Sequence, residues 1–387
     1  MKKCKKLLAI LLSVMLLISS ASVFAAADDD TLRFNKNGKF TILNISDIQD
    51  QYPEMSITLD YIRDTLEMVK PDLVVLTGDN VAGYRANTKL RTKATIDEFM
   101  SIFEEAGVKV AMVFGNHDDE KNLASKEYQM SCYEKYSCFV GKAGEEGLTG
   151  CGTYNLPILS SDGSHYAFNL WFTDSGTYND ENELGGYGCP HKDQIDWYKS
   201  TSKQLAKQNG GKPVPAMNFQ HIVVPEVFKA LKMDGDKYVL PASAKGQLNE
   251  NPCPPAYSNG QFDAFLEMGD VIATFSGHDH VNTYEINYKG IDIVNTPGVG
   301  FMSYNGSVVG SRVIVLNEKN PRKYQTYCLS YFDVYSVEDD FAVYRFRLFS
   351  DTTTSAEKFE AFFKIIPAFN RRVIGEVLEK VSDLIAK

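Results

Sequence analysis

From Lys39 onward this chain alternates short apolar runs with helical patterns, and that alternation limits its fold more than anything else in the sequence. Lys39 to Ile45 is apolar and β-branched and ends at Ser46-Asp47; helical spacing follows through Ile57, Tyr61, Ile62, Leu66 and Val69, stopped by Pro71. Leu73 to Leu76 is a second strand, ending at Gly78-Asp79. A helix from about Leu90 to Glu105 leads to a third strand, Val108 to Phe114, which ends at Gly115-Asn116. Strands apolar along their whole length have no solvent face. The pattern therefore predicts an α/β fold whose mostly parallel sheet is covered on both faces.

The alternation thins and then returns. Leu123 to Gly163 has poor periodicity and reads as an excursion with little core of its own. Tyr166 to Phe172 is a strand ending at Asp174-Ser175-Gly176, Asp193 to Gln208 a helix, and Val214 to Phe219 a strand ending at Gln220-His221. A Pro-rich loop around Cys253 precedes a helix over Gly260 to Met268. The strand Val271 to Phe275 then delivers Gly277-His278-Asp279-His280, and further strands are predicted at Ile291 to Val294 and Arg312 to Leu316. From Ser355 to Ala386 the residues Phe359, Phe362, Phe363, Ile366, Val373, Val377, Leu378, Val381 and Ile385 keep helical spacing, interrupted near Pro367. Packing on the parent domain is the ordinary fate of such a stripe; a membrane surface or a second copy is the alternative.

Residues 1–27 read as a secretory leader: Lys2, Lys3, Lys5 and Lys6 precede an apolar run, and small residues from Ala21 to Ala27 suit cleavage; an uncleaved anchor is the alternative, for which the apolar run is short. The chain thus divides into a leader (1–27), one domain (28–349) and a helical extension (350–387), and is expected outside the cell or in its envelope. Losing four lysines and no acid takes the formal charge from −10 to about −14. So acidic a protein repels phosphate backbones, which excludes general nucleic-acid binding. A small phosphorylated substrate remains compatible if cations in the site neutralise it. Six cysteines follow the leader: Cys132, Cys138, Cys151, Cys189, Cys253 and Cys328. An oxidising compartment permits disulfides, with free buried thiols the even alternative, and no spacing matches a Cys-x-x-Cys zinc site.

Ligands of open α/β sheets gather beyond the carboxyl ends of strands, where this chain places Asp47, Gln49, Asp79, Asn116, His117, Asp118, His221, His278 and His280. Four of its six histidines fall there. A single Asp after a strand ordinarily caps the next helix. Gly-His-Asp-His says more, because alternation along an extended segment puts His278 and His280 on one side. There is no Gly-x-Ser-x-Gly and no phosphate-binding Gly-x-x-x-x-Gly-Lys-Ser/Thr, which removes the serine-hydrolase and P-loop readings.

With these segments in this order, the chain resembles the calcineurin-like metallophosphoesterases, especially the branch related to purple acid phosphatases, from about Lys39 to Leu316. Asp174-Ser175-Gly176, Asp193 to Tyr198 and His221 to Glu226 share in the likeness. The resemblance implies mixed β-sheets flanked by helices, with the site at strand carboxyl ends. It implies two divalent or trivalent metal ions, among Mn, Fe, Zn and Mg: Asp47 and His280 on one, Asn116, His221 and His278 on the other, and Asp79 bridging them. His117 takes the part of the family histidine that stabilises the transition state or protonates the leaving oxygen, as imidazole does near neutral pH. Asp118 either orients that ring or caps a helix. The implied reaction is hydrolysis of phosphate monoesters or diesters by a water activated between the ions.

Two departures stand out. The first motif of the family is Asp-x-His, and here its third residue is Gln49, a neutral and harder donor than imidazole; the first metal site is expected to be weaker or to take a harder ion such as Mn or Mg, and the alternative is that Gln49 does not ligate. A tyrosine of the coloured iron enzymes is replaced by Ala82, so no tyrosinate colour is expected. His165 and His191 are expected in surface or capping roles, and Tyr84, Asn80 and Asp174 at the rim or in packing. Competing substrates are a nucleotide or a phospholipid head group. A metal-binding surface protein with weak or lost catalysis is the non-enzymatic alternative, motivated by Gln49.

Overall fold

The computed structural model describes residues 31–178 and 186–385, so the leader read at 1–27 lies outside the described residues. After β1 (Leu32–Arg33) come β2 (Lys39–Ile45), α1 (Ser56–Val69), β3 (Leu73–Thr77), α2 (Lys89–Ala106) and β4 (Lys109–Val113), close to where apolar spacing predicts them. The chain continues through α3 (Lys126–Tyr133), β5 (Tyr154–Leu159), β6 (Tyr166–Phe172), α4 (Lys192–Gln208), β7 (Ala216–Phe219) and α5 (Val227–Ala230). A small hairpin, β8 (Lys232–Asp234) and β9 (Lys237–Val239), precedes α6 (Gln261–Met268), β10 (Val271–Ser276), β11 (Glu285–Tyr288) and β12 (Ile291–Asn295). Last come β13 (Gly310–Asn317), β14 (Tyr324–Ser330), α7 (Tyr331–Val334), α8 (Asp340–Phe349) and α9 (Ser355–Ile385).

The strands form two large mixed sheets where the spacing alone predicts one mostly parallel sheet. One is ordered β14-β13-β2-β3-β4, the other β1-β5-β6-β7-β10-β12-β11. The parallel blocks are β2-β3-β4 and β6-β7-β10-β12, and antiparallel strands flank them. The reason lies in what covers each face. Ile42, Leu73, Val75 and Val113 point into a core shared with Phe168, Leu170, Phe219 and Phe275 of the other sheet. Their chain neighbours Leu43, Val74, Leu76 and Met112 point the opposite way, onto Tyr61, Ile62, Phe99 and Phe103 of α1 and α2. Trp171, Ala216 and Val271 on the far side pack with Tyr198 and Leu205 of α4 and Phe265 of α6. The result is helix, sheet, sheet, helix. A strand buried on both faces looks the same in sequence whether helices or a second sheet lie against it.

Two further expectations are corrected. The segment Leu123 to Gly163 is not coreless: Met130, Cys132 and Tyr133 of α3 and Tyr154 and Ile158 of β5 are buried. Pro157 disguised β5, and is tolerated because the two-residue β1 pairs only with Ile158 and Leu159 beyond it. The apolar stripe of α9 is likewise not packed on the domain. The helix rests on α8, yet among its described side chains only Ala361 and Ala368 are buried, while Phe359, Phe362, Phe363, Ile366, Ile374 and Leu378 are each at least 60% exposed. No helix among the described residues is long and apolar enough to cross a membrane. All six cysteines after residue 30 are free thiols, three of them buried, so the disulfide alternative is not realised.

Candidate metal centre

β2, β3 and β4 are neighbours in one sheet, β7 and β10 in the other, and their carboxyl ends meet along one edge of the sandwich. Backbone bonds tie neighbouring loops in pairs. The Asp47 amide donates to the Gly78 carbonyl (3.1 Å), the Gln49 amide to the Asp79 carbonyl (2.8 Å), and the Gly277 amide to the His221 carbonyl (3.2 Å). The loops are tight enough to force unusual backbone. Asp47, Gln49, Asp79 and His278 have φ of 53°, 41°, 49° and 72°, left-handed values that cost a non-glycine residue on the order of 1 kcal/mol or more and cluster at functional sites.

Two motif glycines are needed for close approach. A Cβ on Gly115 would stand 2.1 Å from Asp79 Oδ1, and one on Gly277 would stand 1.8 Å from Ser46 Oγ and 2.6 Å from Asp47 Oδ2. Each glycine thus makes room for a carboxylate carried by a different strand.

Asp47, Asp79, Asn116, His221, His278 and His280, singled out in the sequence, are buried and brought together; Gln49 is buried as well and joined to them through its backbone amide on the Asp79 carbonyl. Asp79, His221 and His278 form one group able to hold a metal ion, and Asp47, Asp79 and His280 a second; within each group the donor atoms lie within 4.8 Å of one another. Asp79 belongs to both. The fit to cations does not rest on this count alone. Among the described residues, Gln49 Oε1 and His278 Nε2 are buried with no hydrogen-bond partner, and Asp47 Oδ1 and Asp79 Oδ2 face only the inward nitrogens of His280 and His221, an arrangement that is costly unless a proton or a cation satisfies it.

The imidazoles are set for ligation. Nδ1 of His221 lies 2.9 Å from the Thr77 carbonyl oxygen, and Nδ1 of His280 lies 2.8 Å from that of Tyr304. A carbonyl only accepts, so both rings carry their proton on Nδ1 and turn Nε2 inward. His221 Nε2 is 3.2 Å from both Asn116 Oδ1 and Asp79 Oδ2, and His280 Nε2 is 3.4 Å from Asp47 Oδ1. Tyr304 stacks flat on His280 at 4.2 Å, and Tyr187 meets His278 edge-on at 4.3 Å.

Electrostatics match this donor set. Burial alone would raise Asp79, but the His221 charge outweighs it and holds the carboxyl well below the usual range. Burial likewise opposes charge on His221, yet Asp79 lifts it to about 9, and Asp47 lifts His280 to about 8 against the same penalty. His278, pushed down to about 3 by burial and then by the His221 charge, stays neutral. Protons on His221 and His280 hold places that cations can take, so binding releases protons.

Asp118 does something other than expected. Its Oδ1 accepts from the amides of Asn80 and Val81 (3.0 and 2.9 Å) and its Oδ2 from that of Gly115 (2.7 Å), so it clamps two motif loops together. The carboxylate against the His117 ring belongs instead to Glu120, with Oε2 2.5 Å from Nδ1. The His117 amide donates to Asp79 Oδ1 at 2.7 Å, and Tyr84 meets the ring edge-on at 5.5 Å. Asp174 is not at the rim: it is buried in an ion pair with Lys126 Nζ at 3.1 Å. His191 caps α4, and His165 bonds to neighbouring Ser164 outside the site. Sequence reasoning missed Glu120, Thr77, Tyr187 and Tyr304. Only Glu120 left a trace, as a carboxylate three residues after the motif histidine.

Residues 40–282 match the profile of a family described as calcineurin-like phosphoesterase. Among relatives, the chain is 29% identical over 311 residues to "Probable inactive purple acid phosphatase 14" of Arabidopsis thaliana, covering 70% of this chain and 73% of that one. It is 27% identical to "Probable inactive purple acid phosphatase 29" of the same plant, covering 77% and 82%. It is 26% identical to "Phosphatase DCR2" of Saccharomyces cerevisiae, covering 71% of this chain and 49% of that protein. A solved dimetal phosphatase from Danio rerio aligns over 75% of this chain and 98% of its own, with 13% identity and a TM-score of 0.46.

Proposed function

Because the chain belongs to the calcineurin-like phosphoesterase family, we propose that it hydrolyses monoesters or diesters of small phosphorylated substrates at the cleft centred on Asp79. The observation that carries this reading is the sharing of the buried Asp79 carboxylate between two ligand groups whose donor atoms converge within 4.8 Å. In this reading Asp47, Gln49 and His280 hold one ion, Asn116, His221 and His278 the other, and Asp79 both; Mn, Fe, Zn and Mg are the candidates. When bound, such a pair neutralises phosphate oxygens and acidifies a water. Within the chain, Thr77 and Tyr304 orient the ligating rings, Asp118 holds the loops of β3 and β4 in register, and His117 serves the leaving oxygen. Imidazole on a rigid loop beside the central carboxylate suits that last role. The leader adds export, outside the cell or in its envelope, to the proposal.

A second reading is a metal-binding protein with weak or lost catalysis. Gln49 favours it, as do relatives whose names include "inactive". One experiment separates the two. The mature protein is stripped of metal, reloaded singly and pairwise with Mn, Fe, Zn or Mg, and assayed on p-nitrophenyl phosphate and bis(p-nitrophenyl) phosphate. Turnover with any loading supports hydrolysis, stoichiometric binding without turnover supports the second reading, and failure to bind metal overturns both.

A further inference from the structure

We propose that Glu120 is a positioning residue for His117, selecting its tautomer and aiming its free nitrogen at the leaving-group oxygen. The inference rests on the hydrolytic reading of the site. Its geometry is independent of that reading. Glu120 lies on the loop that follows β4, and its Oε2 is 2.5 Å from His117 Nδ1. An ionised carboxylate only accepts, so Nδ1 carries the proton and Nε2 is left for chemistry.

Three observations make this contact more than a surface ion pair. The neighbouring carboxylate is spoken for, since both oxygens of Asp118 are taken by backbone amides of Gly115, Asn80 and Val81. The base of the histidine is tied to the centre, because its amide donates to Asp79 Oδ1. The ring is also braced from another side: Tyr84 packs edge-on at an interplanar angle of 70°, with Arg85 lying 5.6 Å over the Tyr84 ring. His117 and Glu120 keep 28% and 21% of their side-chain surface exposed, so solvent reaches the pair while the metal ligands beside it are buried. Lys121 Nζ, 3.9 Å from the other Glu120 oxygen, balances its charge.

A carboxylate on the far nitrogen of an imidazole holds the ring's orientation and stabilises the positive charge it carries when it is poised to give up a proton. The importance of this grows with the basicity of the leaving oxygen. A nitrophenolate departs without help, whereas an alkoxide must take up a proton as the P–O bond breaks.

The test compares wild type with Glu120→Ala, Glu120→Gln and Glu120→Asp on p-nitrophenyl phosphate, phenyl phosphate and ethyl phosphate, with metal content measured on each. Long-range 1H–15N NMR of the histidine rings in the metal-free protein reports the His117 tautomer separately. With Glu120→Ala, kcat on ethyl phosphate is expected to fall about 10–100-fold and on p-nitrophenyl phosphate less than about threefold, at unchanged metal content. The Nδ1–H signature of His117 is expected to give way to a mixture, and Glu120→Asp to recover part of both. Equal loss on all three esters, or an unchanged tautomer in Glu120→Ala, overturns the proposal. A wild type that turns over none of the esters but keeps the Nδ1–H signature, lost in Glu120→Ala, overturns the hydrolytic reading and leaves Glu120 as a ring-orienting residue only.

Discussion

The metal cleft and the C-terminal helix are both unfinished surfaces, in opposite senses. In the cleft, Gln49 and His278 bury polar atoms with no partner among the described residues, and Asp47 and Asp79 turn carboxylate oxygens onto ligating imidazoles alone. On α9, Phe359, Phe362, Phe363, Ile366, Ile374 and Leu378 are largely exposed to solvent. A buried unsatisfied polar atom costs roughly 1–3 kcal/mol, and such atoms gathered on loops held in left-handed backbone persist only where something repays them. Exposed apolar side chains are far less costly to the fold. The difference teaches which region has its ligand written into its geometry. The cleft specifies number, charge and direction of donors; the helix specifies only an apolar stripe.

The sharpest way to break this contrast is to remove the shared carboxylate. Asp79→Ala is expected to lose both ions in elemental analysis and to lower turnover on the order of 10³-fold or more, since the several kcal/mol supplied by the ions goes with them. His117→Ala should keep both ions and lose turnover alone. Retention of one ion at full occupancy in Asp79→Ala would show that the two groups are independent. Next in size is Gln49→His. If the amide oxygen of Gln49 is a ligand, imidazole there should tighten the Asp47/His280 half by at least about tenfold, read by competition with a chromophoric chelator. Unchanged affinity would mean that the buried Gln49 Oε1 has some other cause.

Much of this was legible in advance, and the remainder was not for physical reasons. β2, β3, β6, β7 and β10 stood out because they are buried on both faces, which writes an unbroken apolar run. Such a run does not say whether a helix or a sheet covers each face, so spacing alone gave one sheet where two are stacked, and only the family resemblance gave the mixed sheets flanked by helices. β14 escaped because its side chains are half-buried at a sheet edge and its sequence, Tyr324 to Ser330, carries no strong period. In the cleft, the seven candidate ligands were legible because each follows a strand directly. Glu120, Thr77 and Tyr304 were not, since loop geometry recruits them and no motif spacing records it.

Glu54 sharpens the contrast from another side, being buried and unpartnered yet outside any ligand group. Both its carboxyl oxygens lack hydrogen bonds. Burial first, then the charges of Asp50 and Glu98, push its pKa well above 4.5, and Tyr133 is the other titratable group near it. Below about pH 4.5 the carboxyl is protonated in both folded and unfolded chains and carries no penalty. Above it the unfolded chain ionises while the folded one holds the proton, so stability is lost as pH rises toward the folded value. Glu54→Gln cannot ionise. Its melting temperature should match wild type at pH 4 and exceed it at pH 8 by about 2–4 °C for each kcal/mol recovered. A difference that is the same at both pH values would assign the effect to packing.

The smallest effect is expected from deleting residues 355–387. Toward the domain α9 buries Ala361 and Ala368, sets Phe369 against Phe341 at 5.4 Å, and pairs Arg371 and Arg372 with Asp340 and Asp339 at 2.7 and 3.4 Å. Two exposed ion pairs contribute about 0–1 kcal/mol each, and two alanines bury little surface. Melting temperature should therefore fall by no more than about 2–4 °C, with metal content and turnover unchanged. Binding of an apolar-surface dye, strong in the full chain, should drop sharply once the phenylalanine face is gone. A large loss of stability on truncation would make α9 a structural strut and would erase the contrast with the cleft. Loss of dye binding at constant stability would confine the stripe to a surface that the fold itself does not use.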